Sequence, residues 1–164
     1  MVKEITIRKA TNADSAAILD LIFHIWVNEN HFEVRRENFP DFQQIEEAYE
    51  QAGGLFLVAL KADGIIGSIA CQQLSDHEFA LKRMFVKKSE RGCGVAQMLL
   101  DHLLKHLAKK HHAAIFYLST KEDVAIAAKK FYLKNGFRVI NRSALPKNFP
   151  FFYEDDLLMK RDGK

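Results

Sequence analysis

Hydrophobic and polar residues alternate at the start of the chain, where polar residues separate and flank Ile5 and Ile7. A period of two predicts a strand with one buried face. Thr11 and Asp14 follow at the spacing of a capping box, just before the apolar-periodic segment SAAILDLIFHIW. We therefore predict a first strand and, directly after it, a helix that begins at this box.

The next segments predict a weaker helix and a hairpin. Residues 41–52, DFQQIEEAYEQA, have a helical pattern that Gly53 and Gly54 end. Two apolar runs then flank residues 62–64, Ala-Asp-Gly, which is a typical hairpin turn. Both faces of these two runs are apolar, so we expect both faces of the strands to be covered.

Strands and helices alternate through the rest of the chain. The segment FALKRMFV predicts a third central strand, and an amphipathic helix follows near residues 94–110. The last predicted elements are a strand at 113–120, a helix from TKED to Gly136, and strands at 137–140 and 154–160. The order β-α-α-β-β-β-α-β-α-β-β predicts an α/β (α+β) fold, in which helices cover both faces of a mixed central sheet within one domain.

Composition narrows the class of protein. Of the 164 residues, 48% are hydrophobic and 27% are charged, as in soluble globular proteins. No apolar run approaches the roughly 20 residues of a membrane span, and the start lacks the apolar core of a signal peptide. Two cysteines and a formal charge of +3 favour a protein of the reducing cytoplasm that binds neither membranes nor nucleic acid.

The sequence RGCGVA, between the third central strand and the long helix, predicts an anion site. The first N–H groups of a helix have no partner within it, and the helix dipole favours an anion beside them. Gly92 and Gly94 let the backbone approach a ligand closely, and basic residues surround them: Lys82, Arg83, Lys87, Lys88 and Arg91. Dinucleotide-binding and P-loop patterns do not match. From these residues alone, a diphosphate site and a purely structural strand–helix turn both remain open.

Two motifs resemble those of the GNAT superfamily of N-acetyltransferases. The turn from Arg91 to Ala96 is similar to the acetyl-CoA signature Arg/Gln-x-x-Gly-x-Gly/Ala. Residues 127–137, AAKKFYLKNGF, are similar to a second family pattern, which they fill with Ala128, Phe131, Tyr132, Lys134, Gly136 and Phe137. The spacing of the motifs and the order of elements also agree with the family, so the resemblance spans nearly the whole chain.

The resemblance implies a GNAT fold of about seven strands and direct transfer of an acetyl group from acetyl-CoA to a primary amine. Main-chain N–H groups near Phe85 and Val86 would bind pantetheine and polarise the thioester carbonyl. Tyr132 would give a proton to the leaving thiolate, although a core aromatic residue is its other interpretation. The residues expected to bind the cofactor are Met84, Phe85, Val86, Arg91, Gly92, Cys93, Gly94, Val95, Ala96, Ala128, Phe131 and Lys134.

The acceptor amine needs a base, because a lysine-like amine with a pKa of about 10.4 is protonated at neutral pH. Glu78, at the start of the third central strand, is the first candidate, with His77, Glu33 and His31 behind it. A solvated strand end is the other interpretation of Glu78. Ala125 departs from the family, in which many members have Asn at this position, so a pantetheine hydrogen bond from that side chain is not implied here.

The sequence leaves the acceptor open as a small-molecule or protein amine, and residues 28–42 are expected to shape its site. The aromatic residues Phe149, Phe151, Phe152 and Tyr153 fit a core or dimer contact and a wall of the acceptor pocket about equally. A homodimer is therefore one open arrangement. A non-catalytic module that binds or senses acyl-CoA is the alternative function.

Two further features, a pair of histidines and a single cysteine, suggest no additional chemistry. His102 and His106 have the spacing of metal ligands on one helix, but no third ligand follows at a fitting distance along the chain. We therefore expect no metal. The thiol of Cys93 lies in the glycine turn, and direct transfer gives it no role as a nucleophile.

Overall fold

Seven strands form one mixed sheet in the computed structural model, which describes residues 4–62, 64–151 and 155–163. The order across the sheet is β1-β2-β3-β4-β5-β7-β6, and only the β4–β5 pair is parallel within these ranges. The strands are β1 (Ile5–Lys9), β2 (Leu55–Lys61), β3 (Gly64–Gln73), β4 (Glu78–Val86), β5 (Ile115–Thr120), β6 (Arg138–Val139) and β7 (Leu157–Arg161). The predicted fold class is confirmed, and the order of elements agrees with the prediction except for the second helix. Asp63 of the hairpin turn and Glu154 of the last predicted strand lie outside the described residues.

Helices lie on the two faces of the sheet, as predicted. Asp14 accepts a hydrogen bond from the backbone N–H of Thr11 at 2.9 Å, so the predicted capping box is present. The first helix continues as a π-helical turn over Ile25–Glu29. In the described ranges the α-helices are α1 (Ser15–His24), α2 (Val95–Ala108) and α3 (Ile126–Lys134).

The single helix predicted over residues 41–52 is wrong. The segment forms a 3₁₀ turn (Pro40–Gln43) and a π-helical turn (Glu46–Glu50). Gln44, between them, has φ −135° and ψ 60°, which lie outside the helical region. The break accompanies tertiary packing, because each turn buries one aromatic side chain: Phe42 in the first and Tyr49 in the second.

The helix predicted to start at TKED starts later, at Ile126. Asp156 explains the delay, because it ties the preceding segment to the chain just before β7. Its carboxylate accepts a hydrogen bond from the backbone N–H of Glu122 at 2.8 Å, and its own N–H donates to the carbonyl of Thr120 at 3.0 Å. The predicted end is confirmed, since Gly136 follows α3 with a left-handed φ of +89°.

Apolar side chains cover both faces of the central strands. In β2, Leu55 and Leu57 pack in the cluster under α2, whereas Phe56 and Val58 pack in the cluster under α1. We call these sides of the sheet the α2 face and the α1 face. The expectation that the hairpin strands are covered on both faces is confirmed.

A β-bulge interrupts β4. Ser68 pairs with Phe85 and Ala70 pairs with Lys82, so two residues of β4, Arg83 and its successor, stand opposite one residue of β3. Arg83 has a left-handed φ of +57°. The hydroxyl of Ser68, which is fully buried, donates a hydrogen bond to the carbonyl of Arg83 at 2.7 Å. This bond holds the bulge in its conformation.

The parallel pairing of β4 and β5 ends well before the end of β4. It covers three positions, from Glu78–Ile115 to Ala80–Tyr117, whereas β4 runs on to Val86. β5 remains paired with β7 along its length. The two central strands therefore diverge beyond Ala80, and the sheet opens there.

Replacement of Ser68 by alanine tests the role of this hydroxyl in the bulge. We expect Ser68→Ala to lower the free energy of unfolding by about 1–3 kcal/mol, because the buried carbonyl of Arg83 loses its donor. Urea denaturation measures the change. Ser143→Ala, at an exposed position, is the control and should change the free energy by less than about 0.5 kcal/mol. Equal effects of the two substitutions would remove this role from Ser68.

Candidate active site

A cavity of about 1170 Å³ occupies the opening between β4 and β5. Its walls come from the second half of β4, the turn before α2, the end of β5, α3, and the segment after α1. Ligand pockets commonly measure roughly 300–1,000 Å³. The volume is therefore large enough for a cofactor-sized molecule together with a second small molecule.

The glycine turn forms one end of the cavity. Gly92 and Gly94 have left-handed φ values of +80° and +84°, and Gly94 is the residue that caps the start of α2. A Cβ at either position would meet no protein atom within 4 Å. The glycines are therefore required by the backbone conformation, which aims the first N–H groups of a 14-residue helix at the cavity.

The predicted cofactor residues of the turn line the cavity with one exception. Arg91, Gly92, Gly94 and the first helical residues contribute to the wall. Cys93 does not, and its side chain is exposed. The turn therefore offers main-chain groups to a ligand rather than the thiol.

Arg91 connects the turn to two other elements. Its Nε donates to the carbonyl of Val86 at 2.9 Å, and its Nη1 lies 2.6 Å from a carboxylate oxygen of Glu29. The guanidinium therefore holds the end of β4 against the segment after α1. Its charge is partly balanced by Glu29, so the helix N-terminus is the main positive feature of the turn.

The other predicted cofactor residues lie on two facing walls. Met84, Phe85 and Val86 line the cavity on the β4 side, where the strand has no partner on its β5 edge. Ala125, the residue just before α3, lines the wall on the α3 side. Its side chain is a methyl group, in place of the Asn amide expected from the family resemblance. The residues of α3 itself that line the cavity are Ala127, Ala128, Phe131, Tyr132 and Lys134.

Tyr132 is both a core aromatic residue and a part of the cavity wall. Its side chain is 6% exposed and packs edge-on against Phe131 and Phe137, with ring centres 5.4 and 5.3 Å away. Burial raises the pKa of its hydroxyl above the usual value. The hydroxyl therefore stays protonated at neutral pH and is able to donate a proton.

The structure does not bring Glu78 to the cavity. This residue lies where β4 and β5 are still paired, before the strands diverge. Its two carboxylate oxygens accept hydrogen bonds from the hydroxyls of Ser75 at 2.9 Å and Tyr117 at 3.1 Å. Glu78, the first candidate for the base, therefore does not line the cavity, and the weaker candidates His77, Glu33 and His31 do not line it either.

Two predictions about the surrounding residues have mixed outcomes. Glu29 and Asp41 of the segment 28–42 line the cavity, as expected for this segment, whereas Arg35 and Arg36 do not. Phe149 is buried, and both Phe149 and Phe151 line the cavity, which favours a pocket wall. Phe152 and Tyr153 lie outside the described residues.

The sequence reasoning missed a charged cluster on the α1 face of β4. Arg83 binds the carboxylate of Asp41 with three contacts of 3.1–3.2 Å, and the hydroxyl of Tyr49 donates to the same carboxylate at 2.5 Å. The guanidinium lies 4.7 Å from the ring centre of Phe42. The available signal was a Lys-Arg pair inside a strand predicted to be central in the sheet.

Lys82 belongs to the same cluster and lines the cavity. Its ammonium lies 5.9 Å from the ring centre of Tyr49. Burial, and then the neighbouring charge of Arg83, lower the pKa of Lys82 to about 8, while Asp41 partly opposes this. Lys82 is therefore a cation that its surroundings stabilise poorly.

The family follows from a match to the segment that builds the cavity. A family model described as an acetyltransferase (GNAT) domain matches residues 52–139, which is more than half of the chain. The chain belongs to the GNAT acetyltransferase family. The matched segment contains β4, the glycine turn and α3, so the GNAT motifs supply a large part of the cavity wall.

Known proteins agree with this assignment. This GNAT chain is 32% identical over 111 residues, 66% of its length, to N-acetylaspartate synthetase of Xenopus tropicalis, of which it spans about 40%. A GNAT-family acetyltransferase of Staphylococcus aureus Mu50 is 31% identical, with a TM-score of 0.93 over 98% of this chain and 100% of that one. The fold also matches the PaiA N-acetyltransferase of Thermoplasma acidophilum in complex with coenzyme A, at 20% identity and a TM-score of 0.75 over 97% and 99% of the two chains.

Two other features bear on the class of protein. In the described ranges, no group of three His, Cys, Asp or Glu side chains is arranged to hold a metal ion. His102 instead has its Nδ1 2.8 Å from the carbonyl oxygen of Met98 in its own helix. The helices in these ranges are also too short or too polar to span a membrane.

Substitution of Gly94 tests its conformational role. We expect Gly94→Ala to lower the free energy of unfolding by about 1–2 kcal/mol, because an L-residue is strained in the left-handed region. Gly64→Ala is the control, since a Cβ there also meets no atom and the backbone has an ordinary φ. Denaturation in urea compares the two variants, and a Gly94→Ala protein as stable as the Gly64→Ala protein would contradict this explanation.

The pKa of Lys82 predicts a pH dependence of stability. Between about pH 8 and the value of 10.5 for a free lysine, the unfolded chain binds this proton and the folded chain has released it. Stability therefore rises with pH in this window, by up to about 1.4 kcal/mol per pH unit. Arg83, Asp41 and Tyr49 are the charged and titratable groups that face Lys82. Burial raises the pKa of the Tyr49 hydroxyl above its usual value.

Denaturation in urea at a series of pH values measures this rise. The slope should be smaller in Lys82→Met, which has no proton to release, than in the wild-type protein. Lys130→Met, at an exposed position on α3, should keep the wild-type slope. Equal slopes in all three proteins would show that Lys82 does not have a depressed pKa.

Proposed function

We propose that this protein is an acetyl-CoA-dependent N-acetyltransferase that transfers an acetyl group directly to a primary amine. One observation carries the proposal. A helix N-terminus aimed by left-handed glycines and the unpaired edge of a central strand line the same cavity. The first feature suits a diphosphate, and the second suits an extended amide chain, as the two parts of coenzyme A require.

The residues fit the two parts of the coenzyme in a definite order along the chain. The N–H groups between Arg91 and Ala96 bind the diphosphate. Pantetheine lies along the open edge of β4 near Phe85 and Val86, where it takes the place of a neighbouring strand. The acetyl group is thereby directed toward the bulge of β4. The complex of the PaiA protein with coenzyme A supports this choice of ligand.

The chemical step needs protein groups that stabilise the negative charge developing on the carbonyl oxygen and on the departing sulfur. The acceptor nitrogen forms a bond with the acetyl carbon, and the carbon–sulfur bond breaks. Main-chain N–H groups of β4 near Phe85 and Val86 stabilise the negative oxygen that develops on the carbonyl. The hydroxyl of Tyr132, which is protonated at neutral pH, supplies a proton to the departing sulfur.

The acceptor must lose a proton before it reacts, at a cost of about 4–5 kcal/mol for a lysine-like amine. Three cavity carboxylates already have partners: Asp41 with Arg83, Glu90 with Lys61, and Asp155 with Ser119. Glu29 also has a partner, since one of its carboxylate oxygens binds Arg91, but its other oxygen is buried without a hydrogen-bond partner in the described part of the chain. Glu29 is therefore the carboxylate in the cavity wall best suited to receive this proton.

The alternative is a module that binds or senses acyl-CoA without turnover. Ala125 favours it, because this position lacks an amide that would hydrogen-bond pantetheine. The relatives favour an enzyme, since one of them is named a synthetase of an N-acetylated amino acid. A thiol-release assay with acetyl-CoA and a panel of amines separates the two functions. Tight binding of coenzyme A without turnover of any amine would favour the sensing module.

Tyr132→Phe tests the proton donor. Phenylalanine keeps the ring packed against its neighbours and removes only the hydroxyl, so we expect turnover to fall by at least about tenfold. The dissociation constant of coenzyme A, measured by calorimetry, should change by less than about threefold. Tyr117→Phe, which removes a hydroxyl outside the cavity, is the matched control. An unchanged rate in Tyr132→Phe would exclude this residue from the mechanism.

A further inference from the structure

The bulge places two consecutive side chains on the same face of β4. Successive residues of a regular strand point to opposite faces. Here Lys82 lies near the ring of Tyr49, and Arg83 lies over the rings of Trp26 and Phe42, all of which belong to the α1 face. Two cations therefore stand side by side at the cavity wall.

Within the described ranges, one carboxylate, that of Asp41, lies near these two cations, and it is already bound to Arg83. Both oxygens of Asp41 accept hydrogen bonds from Arg83, and one also accepts the hydroxyl of Tyr49. Side-chain exposure in this pair is 10% for Arg83 and 20% for Asp41. Asp41 is thus paired with Arg83 and offsets the charge of Lys82 only in part.

The ammonium of Lys82 is left without an anion. Within the described ranges it has no ion-pair partner within 4 Å, and its neighbour Arg83 is a like charge. Partial burial adds a cost to the charged form, which is consistent with a pKa of about 8. An anion that enters the cavity would remove this cost, so the wall is complementary to a negative group.

The position of Lys82 assigns that negative group to the acceptor rather than to the coenzyme. Along β4 the order is Lys82, then the open edge near Phe85 and Val86, then the turn at Arg91 that binds the diphosphate. Pantetheine enters from the turn and carries no charge. With the coenzyme placed in this way, Lys82 lies on the other side of the acetyl group from the diphosphate, near Asp41 of the segment 28–42 that is expected to shape the acceptor site.

We propose that Lys82 binds a carboxylate of the acceptor, so that the acceptors of this enzyme are amino acids and related amino carboxylates. The inference rests on the proposed acetyl transfer and narrows its acceptor. Polyamines and aminoglycoside-like amines, which are polycations, are disfavoured because they would meet an unbalanced cation in the wall.

Matched acceptors provide the first part of the test. L-amino acids, β-alanine and γ-aminobutyrate are each compared with the corresponding carboxamide, with thiol release from acetyl-CoA as the readout. The carboxamide has the same skeleton but no negative charge, and its amine is less basic and so more available at neutral pH. We expect at least one acid to be used with a kcat/KM at least about 30-fold above that of its carboxamide.

Variants of Lys82 provide the second part. Lys82→Met should raise the KM for the preferred acid by at least about 30-fold and change the KM for its carboxamide by less than about threefold. Lys82→Arg should restore part of the loss, because it returns a positive charge. Lys130→Met, an exposed substitution on α3 outside the cavity wall, should behave as the wild type. Calorimetry with coenzyme A should show binding by all four proteins.

The outcomes distinguish a failure of the proposed role of Lys82 from a failure of the proposed acetyl transfer. Acceptance of carboxamides as readily as acids, or an equal rise in KM for both in Lys82→Met, would overturn the role of Lys82 and leave acetyl transfer standing. A lower kcat with unchanged KM for both acceptor types would also overturn it, since Lys82 would then act on a proton. Coenzyme A binding without turnover of any amine would overturn the proposed function, and this inference with it.

Discussion

The structure depends on the point where β4 and β5 stop pairing. Beyond Ala80 and Tyr117, β5 remains paired with β7 while β4 remains paired with β3, so the central sheet opens without losing either half. An opened sheet leaves one edge of β4 with unpaired main-chain groups inside a protein rather than at its surface. A ligand with amide groups satisfies such an edge, and the helix N-terminus at Gly94 stands at its end. The cavity is therefore a consequence of strand geometry, to which side chains add selectivity.

The bulge of β4 is the second constraint, and it links the fold to the choice of acceptor. It is held by a buried hydroxyl, Ser68, and by the contacts of Arg83 with Asp41 and the surrounding aromatic rings. These contacts rigidify the wall that the acceptor would meet. Within the described ranges they also occupy the one carboxylate of the cluster, Asp41, which leaves Lys82 without an ion-pair partner at the cavity wall. Because Arg83 is paired with Asp41, Lys82 remains able to bind a carboxylate of the acceptor. This is the selectivity that we propose for Lys82.

Local sequence patterns predict much of this architecture, because capping, periodicity and turn residues act over a few positions. The capping box at Thr11, the helix end at Gly136 and the glycine turn could all be read in this way. The bulge could not, since a register shift depends on how β3 and β4 pair across the sheet. Glu78 was chosen as a base because it lies at the start of the third central strand, but whether this position reaches the cavity depends on where pairing with β5 ends. The break at Gln44 likewise follows from tertiary packing of the aromatic side chains on either side of it.

Amide hydrogen exchange in the presence and absence of coenzyme A tests the central claim most directly. If the coenzyme pairs with the open edge of β4, saturating coenzyme A should slow exchange in residues 81–86 and 91–97 and leave β1 unchanged. The effect should appear at main-chain amides, because the claim concerns backbone groups left free where the strands diverge. Binding of coenzyme A with protection confined to other segments, or no binding at all, would contradict the account.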